Sequence, residues 1–212
     1  MEYRQVMKCL KYRKLYAKSY SKELGWLAQG IPVVVNGTNI IFFINKTGVP
    51  AERWKYATYG RVVVNYCPEK GDPYHTRLTV RGNLIVYPGD CVTPTVELLT
   101  VKLFLNSVIS TPDTKFMTID IKDFYLNTPM ERFKYMKLKL SDLPKDFVTL
   151  YNLVSKVDKN GCVYLEIRRG MYGLPQAGIL AQQLLGEKLN NKGYIQYNIF
   201  PGLWTHSWRP IN

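Results

Sequence analysis

A chain of 212 residues, 46% of them apolar, is long enough for one large domain or two small ones with a sizeable core. Its 29 Lys plus Arg against 16 Asp plus Glu give a formal charge of +13, which with 16 Tyr points to a polyanion, most simply nucleic acid, and also fits a membrane surface or a plain basic domain. Two His and four scattered Cys argue against a structural zinc site, no apolar run is long enough to span a membrane, and a charged N-terminus without a signal peptide reads as intracellular, with reduced thiols.

Residues 1–30 read as a basic helical segment. Leu10, Leu15, Leu24, Trp26 and Leu27 supply apolar contacts among Lys8, Lys11, Arg13, Lys14, Lys18 and Lys22. That pattern suits a solvated face or an RNA-binding one. Gly30-Ile-Pro32 breaks it. Residues 40–44, 59–66 and 76–87 read as strands, with turns at Asn36-Gly-Thr-Asn39 and Gly82-Asn83. They predict an antiparallel sheet within residues 31–92. Arg77 and Arg81, four apart, share a strand face and make it basic.

Thr93 as N-cap, Pro94 at the first helical position and Glu97 in the first turn predict a helix start. Val96, Leu98, Leu99, Val101, Leu103, Phe104, Leu105, Val108 and Ile109 surround its axis, and a helix apolar on nearly all sides is expected to be buried. Thr111-Pro-Asp113 turns the chain into residues 116–121, which read as a short buried strand. Met117, Ile119 and Ile121 share one face, and Phe116, Thr118 and Asp120 the other. A carboxylate ending such a strand needs a partner or a metal. The plainer alternative is that Asp120 caps the next turn, where Asp123 and Tyr125 follow.

Residues 135–140 predict a strand, 142–153 a short helix, Asp158-Lys-Asn-Gly161 a hairpin turn and 162–167 another strand. Gly170 and Gly173 permit close backbone approach to a ligand. Pro175 opens a helix carrying Ala177, Leu180, Ala181, Leu184 and Leu185 that stops near Gly193. The expected fold is α+β, an antiparallel sheet with packed helices, divided as 1–30, 31–92 and 93–212.

Asp120-Ile-Lys-Asp-Phe-Tyr-Leu-Asn127, within residues 116–130, resembles the first catalytic motif of reverse transcriptases. Arg169-Gly-Met-Tyr-Gly-Leu-Pro-Gln-Ala-Gly178 resembles the substrate-positioning motif of the copia-type retrotransposon branch, and Tyr74-His-Thr-Arg-Leu-Thr-Val-Arg-Gly82 is similar to its fingers segment. The resemblance implies fingers over 31–92 and the first half of a palm over 93–212. It implies RNA-directed DNA polymerase chemistry, nucleotidyl transfer onto a primer, with Mg2+ held by Asp120 and the backbone carbonyl of Ile121. Arg77 and Arg81 would meet the triphosphate, Asp123 would lie near it, Tyr125 would exclude the ribose 2′-hydroxyl, and Gln176 would position the nucleotide. The implied partners are an RNA or DNA template–primer and dNTP, in a polyprotein context.

One part of the family pattern is missing. No Asp follows Asp158, so the Asp-Asp pair of the palm hairpin is absent, and the only later acids are Glu166 and Glu187. Residues 202–211 look like the strand that leads into that pair. A two-metal centre needs those carboxylates, so this chain is expected to be inactive as a polymerase. A non-catalytic nucleic-acid-binding relic and a truncated gene model are the alternatives.

Overall fold

The Val-rich and alternating stretches assemble into one five-stranded sheet in the computed structural model, which describes residues 2–85 and 87–206. In chain order the elements are α1 (Tyr3–Val6), α2 (Arg13–Leu27), β1 (Gly30–Ile31), β2 (Val35–Asn36), β3 (Ile41–Ile44), β4 (Thr58–Tyr66) and β5 (Tyr74–Val80). Then come α3 (Leu98–Ser110), β6 (Pro129–Lys139), α4 (Lys145–Leu150), β7 (Cys162–Arg169), α5 (Ala177–Asn190), β8 (Tyr194–Gln196) and β9 (Trp204–His206). The fold is α+β.

The main sheet runs β3-β7-β6-β4-β5, while β1-β2 and β8-β9 form separate pairs. Its neighbours are antiparallel except β4 and β6, which run parallel. The sheet is therefore mixed, not purely antiparallel as expected. A parallel pair needs a long connection, and here β5, α3 and the turn before β6 supply it. The contact is short: Thr58 faces Met136 and Tyr59 faces Lys137, and there the register ends.

One face of the sheet holds the main core. Ile41 and Phe43, Leu78 and Val80, Met136 and Leu138, and Val163, Leu165 and Ile167 all point there. Helix α2 covers them with Tyr16, Tyr20, Leu24 and Leu27, which recur at helical spacing. The Leu-based reading of this segment needs correction, since Leu10 and Leu15 are exposed and two tyrosines do their work. The opposite face carries a smaller cluster of Val49, Ala57, Tyr135 and Tyr164.

Side chains bond backbone groups at both edges of the sheet. At β5, Ser19 Oγ accepts the Thr76 N–H at 3.0 Å and Glu23 Oε1 accepts the Leu78 N–H at 3.1 Å. These two α2 residues are one turn apart, which suits two outward amides two residues apart on the strand. At β3, Gln29 Nε2 donates to the Ile41 carbonyl and Lys156 Nζ to the Phe43 carbonyl, each at 2.9 Å. Unpaired edge groups invite another strand, and these four bonds satisfy two amides at one edge and two carbonyls at the other.

The stretch after β5 departs most from expectation. Helix α3 starts at Leu98 with Glu97 as its N-cap, later than the predicted Thr93, and none of its residues is buried. Leu98, Leu99, Leu103 and Ile109 are 62–83% exposed. Residues 115–121 form no strand and stay exposed, Asp120 included. A strand needs a neighbour to take its backbone groups, and no described strand pairs with this one. Instead Phe116 meets Phe104 of α3 edge-on, with ring centres 6.1 Å apart. Helix α3 and the β8–β9 hairpin line an apolar trough of about 560 Å3.

Smaller differences have local causes. Helix α4 is shorter than predicted because Asn152 takes a left-handed conformation, φ 47°, and ends it. Strand β5 stops at Val80, and Gly82–Leu84 forms a single tight turn. Of residues 202–211, 204–206 form β9, and 207–211 lie outside the described residues. Among the described residues no helix is long and apolar enough to cross a membrane.

Candidate nucleic-acid interface

The second motif begins where β7 ends, and two glycines decide where it goes. A methyl on Gly170 would overlap the Tyr125 carbonyl, and one on Gly173 would overlap the Val80 carbonyl. Gly173 also has φ 91°, which side chains rarely adopt. Their smallness thus lets backbone approach backbone, not a ligand as the sequence suggested. Hydrogen bonds complete both junctions. The Gly170 N–H donates to the Thr128 carbonyl at 2.7 Å, and the Val80 N–H to the Tyr172 carbonyl at 2.8 Å.

The first motif is fastened at its C-terminal end. Leu126 and Thr128 are buried. The Thr128 N–H donates to the Tyr125 carbonyl at 3.1 Å, and the Asn127 N–H to the Asp123 carbonyl at 3.2 Å. Asp123 itself sits at φ 55°, in the left-handed region.

These junctions bring four side chains together. The Arg77 guanidinium lies over the Tyr172 ring, 4.4 Å from its centre. Tyr172 meets Tyr125 edge-on at 5.9 Å, and Tyr125 meets Phe124 at 5.7 Å. Arg77 is exposed, and the three rings are half-buried. A guanidinium fork grips phosphate oxygens, and aromatic faces stack on bases for about 1–3 kcal/mol each.

Glu23 reaches the same place from α2. Burial pushes its carboxyl up to about 7, against the opposing pull of the Leu78 N–H and the Arg77 guanidinium, while Asp123 adds to the rise. Glu23 and Tyr172 were not singled out from sequence. Tyr172 lies within the second motif, and Glu23 lies far from it along the chain. The one available signal was an acid among the lysines of a helix.

The other candidates are placed differently. Arg81 diverges from Arg77 and lines a cleft between β4 and β6. Ile121 is exposed, like Asp120. Gln176 is sealed at 1% exposure, N-terminal to α5, between Pro175 and the buried Ala177. Its Oε1 is buried without a hydrogen-bond partner. An exposed Asp120 and a sealed Gln176 do not make the open groove that nucleotide positioning requires.

The donor set does not fit a two-metal centre. Among the described residues no group of three or more His, Cys, Asp or Glu side chains is placed to hold a metal ion. Glu166 is engaged by Arg168 at 2.7 Å.

Comparison with models of protein families, with curated proteins and with solved structures finds no match.

Proposed function

We propose that this chain is a reverse-transcriptase-like, nucleic-acid-binding unit of the copia type that binds primer–template without extending it. Fingers and part of a palm are the architecture this reading assigns. The observation that supports it best is the convergence of Arg77, Tyr125 and Tyr172 on one surface, from three stretches of sequence that each resemble the family. The excess of 13 positive charges supplies the long-range attraction. Polymerase chemistry is outside the proposal, because the carboxylates near Asp120 do not make up a metal-binding set.

The test is binding of a labelled RNA–DNA primer–template across a salt series. Affinity should fall linearly on a log–log plot as salt rises, because phosphate neutralisation releases counterions. Arg77→Ala should lower the slope by about one and Tyr172→Ala should weaken binding with little change in slope. No binding at low salt, or binding indifferent to salt, overturns the reading. So does robust primer extension with magnesium and dNTP.

A further inference from the structure

We propose that the cleft where β4 and β6 part is a binding site for a phosphate-type oxyanion, separate from the Arg77–Tyr172 surface. The two strands pair only at Thr58–Met136 and Tyr59–Lys137 and then separate. Beyond that point the N-terminal segment lies alongside β4, with Glu2 bridging Val63. The gap left between them is a cleft of about 280 Å3. Drug-sized ligands occupy pockets of roughly 300–1,000 Å3, so this one suits a small group.

Two phenols give the cleft its chemistry. Tyr3 of α1 and Tyr20 of α2 both line it, with their rings edge-on at 4.9 Å. Tyr20 is 0% exposed and Tyr3 5%. Both hydroxyls are buried without a hydrogen-bond partner. A buried hydroxyl left unpaired costs about 1–3 kcal/mol, a cost that an acceptor entering the cleft would relieve. Burial raises both phenols well above their ordinary range, and the charge of Asp142 adds to the rise. They therefore remain neutral O–H groups, each able to donate to an oxygen that enters the cleft.

The charge around them has the matching sign. Arg4, Arg61, Arg81, Lys137 and Lys139 line the cleft, against Glu2 and Asp142. Asp142 is taken by Arg4 at 2.7 Å, and Lys137 lies over the Tyr59 ring at 4.4 Å. Paired donors inside a cationic rim describe a receptor for a compact, multiply charged oxyanion. A free phosphate, or a phosphate of a nucleic-acid backbone, presents that chemistry.

Inorganic phosphate is the probe, titrated into the full chain at constant ionic strength with chloride as the control. Phosphate should bind saturably and raise Tm more than chloride does. Tyr3→Phe/Tyr20→Phe removes both donors and keeps both rings. It should weaken phosphate binding at least tenfold, yet leave Tm in chloride unchanged or higher, because the unpaired hydroxyls are gone. Arg61→Gln should weaken binding likewise. The primer–template reading is tested by Arg77→Ala in primer–template binding and this site by Tyr3→Phe/Tyr20→Phe in phosphate binding, so failure here is distinct from failure of that reading. Competition between phosphate and single-stranded DNA, with DNA binding also weakened by Arg61→Gln, identifies a backbone phosphate. Phosphate binding with no such competition identifies a free anion. No saturable response beyond chloride, or an equal response in the double Tyr variant, overturns the site.

Discussion

The sheet with α2 and the stretch from residue 91 to 121 are both rich in Leu, Val and Ile, and they end differently. In the sheet, Leu165 and Ile167 are fully buried, and two backbone groups at each edge find side-chain partners. In the other stretch α3 buries none of its residues and residues 115–121 pair with nothing as a strand. Apolar composition creates the demand for burial. A partner element with matching hydrogen-bond register decides whether the demand is met.

The sharpest way to break this contrast is to cut equal volumes from the two regions. Leu165→Ala should cost about 4 kcal/mol, as expected for a sealed core leucine, while Leu103→Ala in α3 should change stability by under about 0.5 kcal/mol. Urea unfolding of both variants checks this, and equal losses would mean that α3 is packed after all. Next in size is Gly173→Ala, where a methyl meets the Val80 carbonyl at a positive φ. A loss of about 3 kcal/mol is expected in the same measurement.

The α2 contact predicts a pH effect. The Glu23 carboxyl titrates higher in the folded chain, about 7, than the ordinary 4.5. Protons thus bind the folded state more tightly, so stability is full below about 4.5 and is lost as pH rises through 7. The loss is at most about 3 kcal/mol. Glu23→Gln should flatten that slope and gain stability at pH 8, read as Tm against pH. An unchanged slope would place the carboxyl in water. The smallest effect should come from Ser19→Ala, which leaves the Thr76 N–H without its acceptor and costs about 1 kcal/mol.

Much of the sheet was legible in the sequence. Strands β3, β4 and β7 fall close to the predicted stretches, since β-branched runs and flanking turns mark them directly. The parallel contact of β4 with β6 was not, because nothing local announces which distant strand will lie alongside. The core face of α2 was misread by following Leu instead of the Tyr16–Tyr20–Leu24 spacing. At the candidate site, Arg77 and Tyr125 were visible through motif resemblance, yet Tyr172 joins them only through the turn that Gly170 and Gly173 make possible. Glu23 was invisible for the same reason: its partners lie on β5 and beyond, joined by folding and not by spacing.

The clasp between Gly170 and Tyr125 bounds the reach of a residue it does not touch. Asp120 stands five positions upstream of that fixed point, and a fully extended chain gains about 3.5 Å per residue. Its α-carbon is thus tethered within a sphere of about 17 Å around Tyr125, whatever path the intervening residues take. Any protein, ion or strand that is to share the Asp120 carboxylate has to come to that sphere.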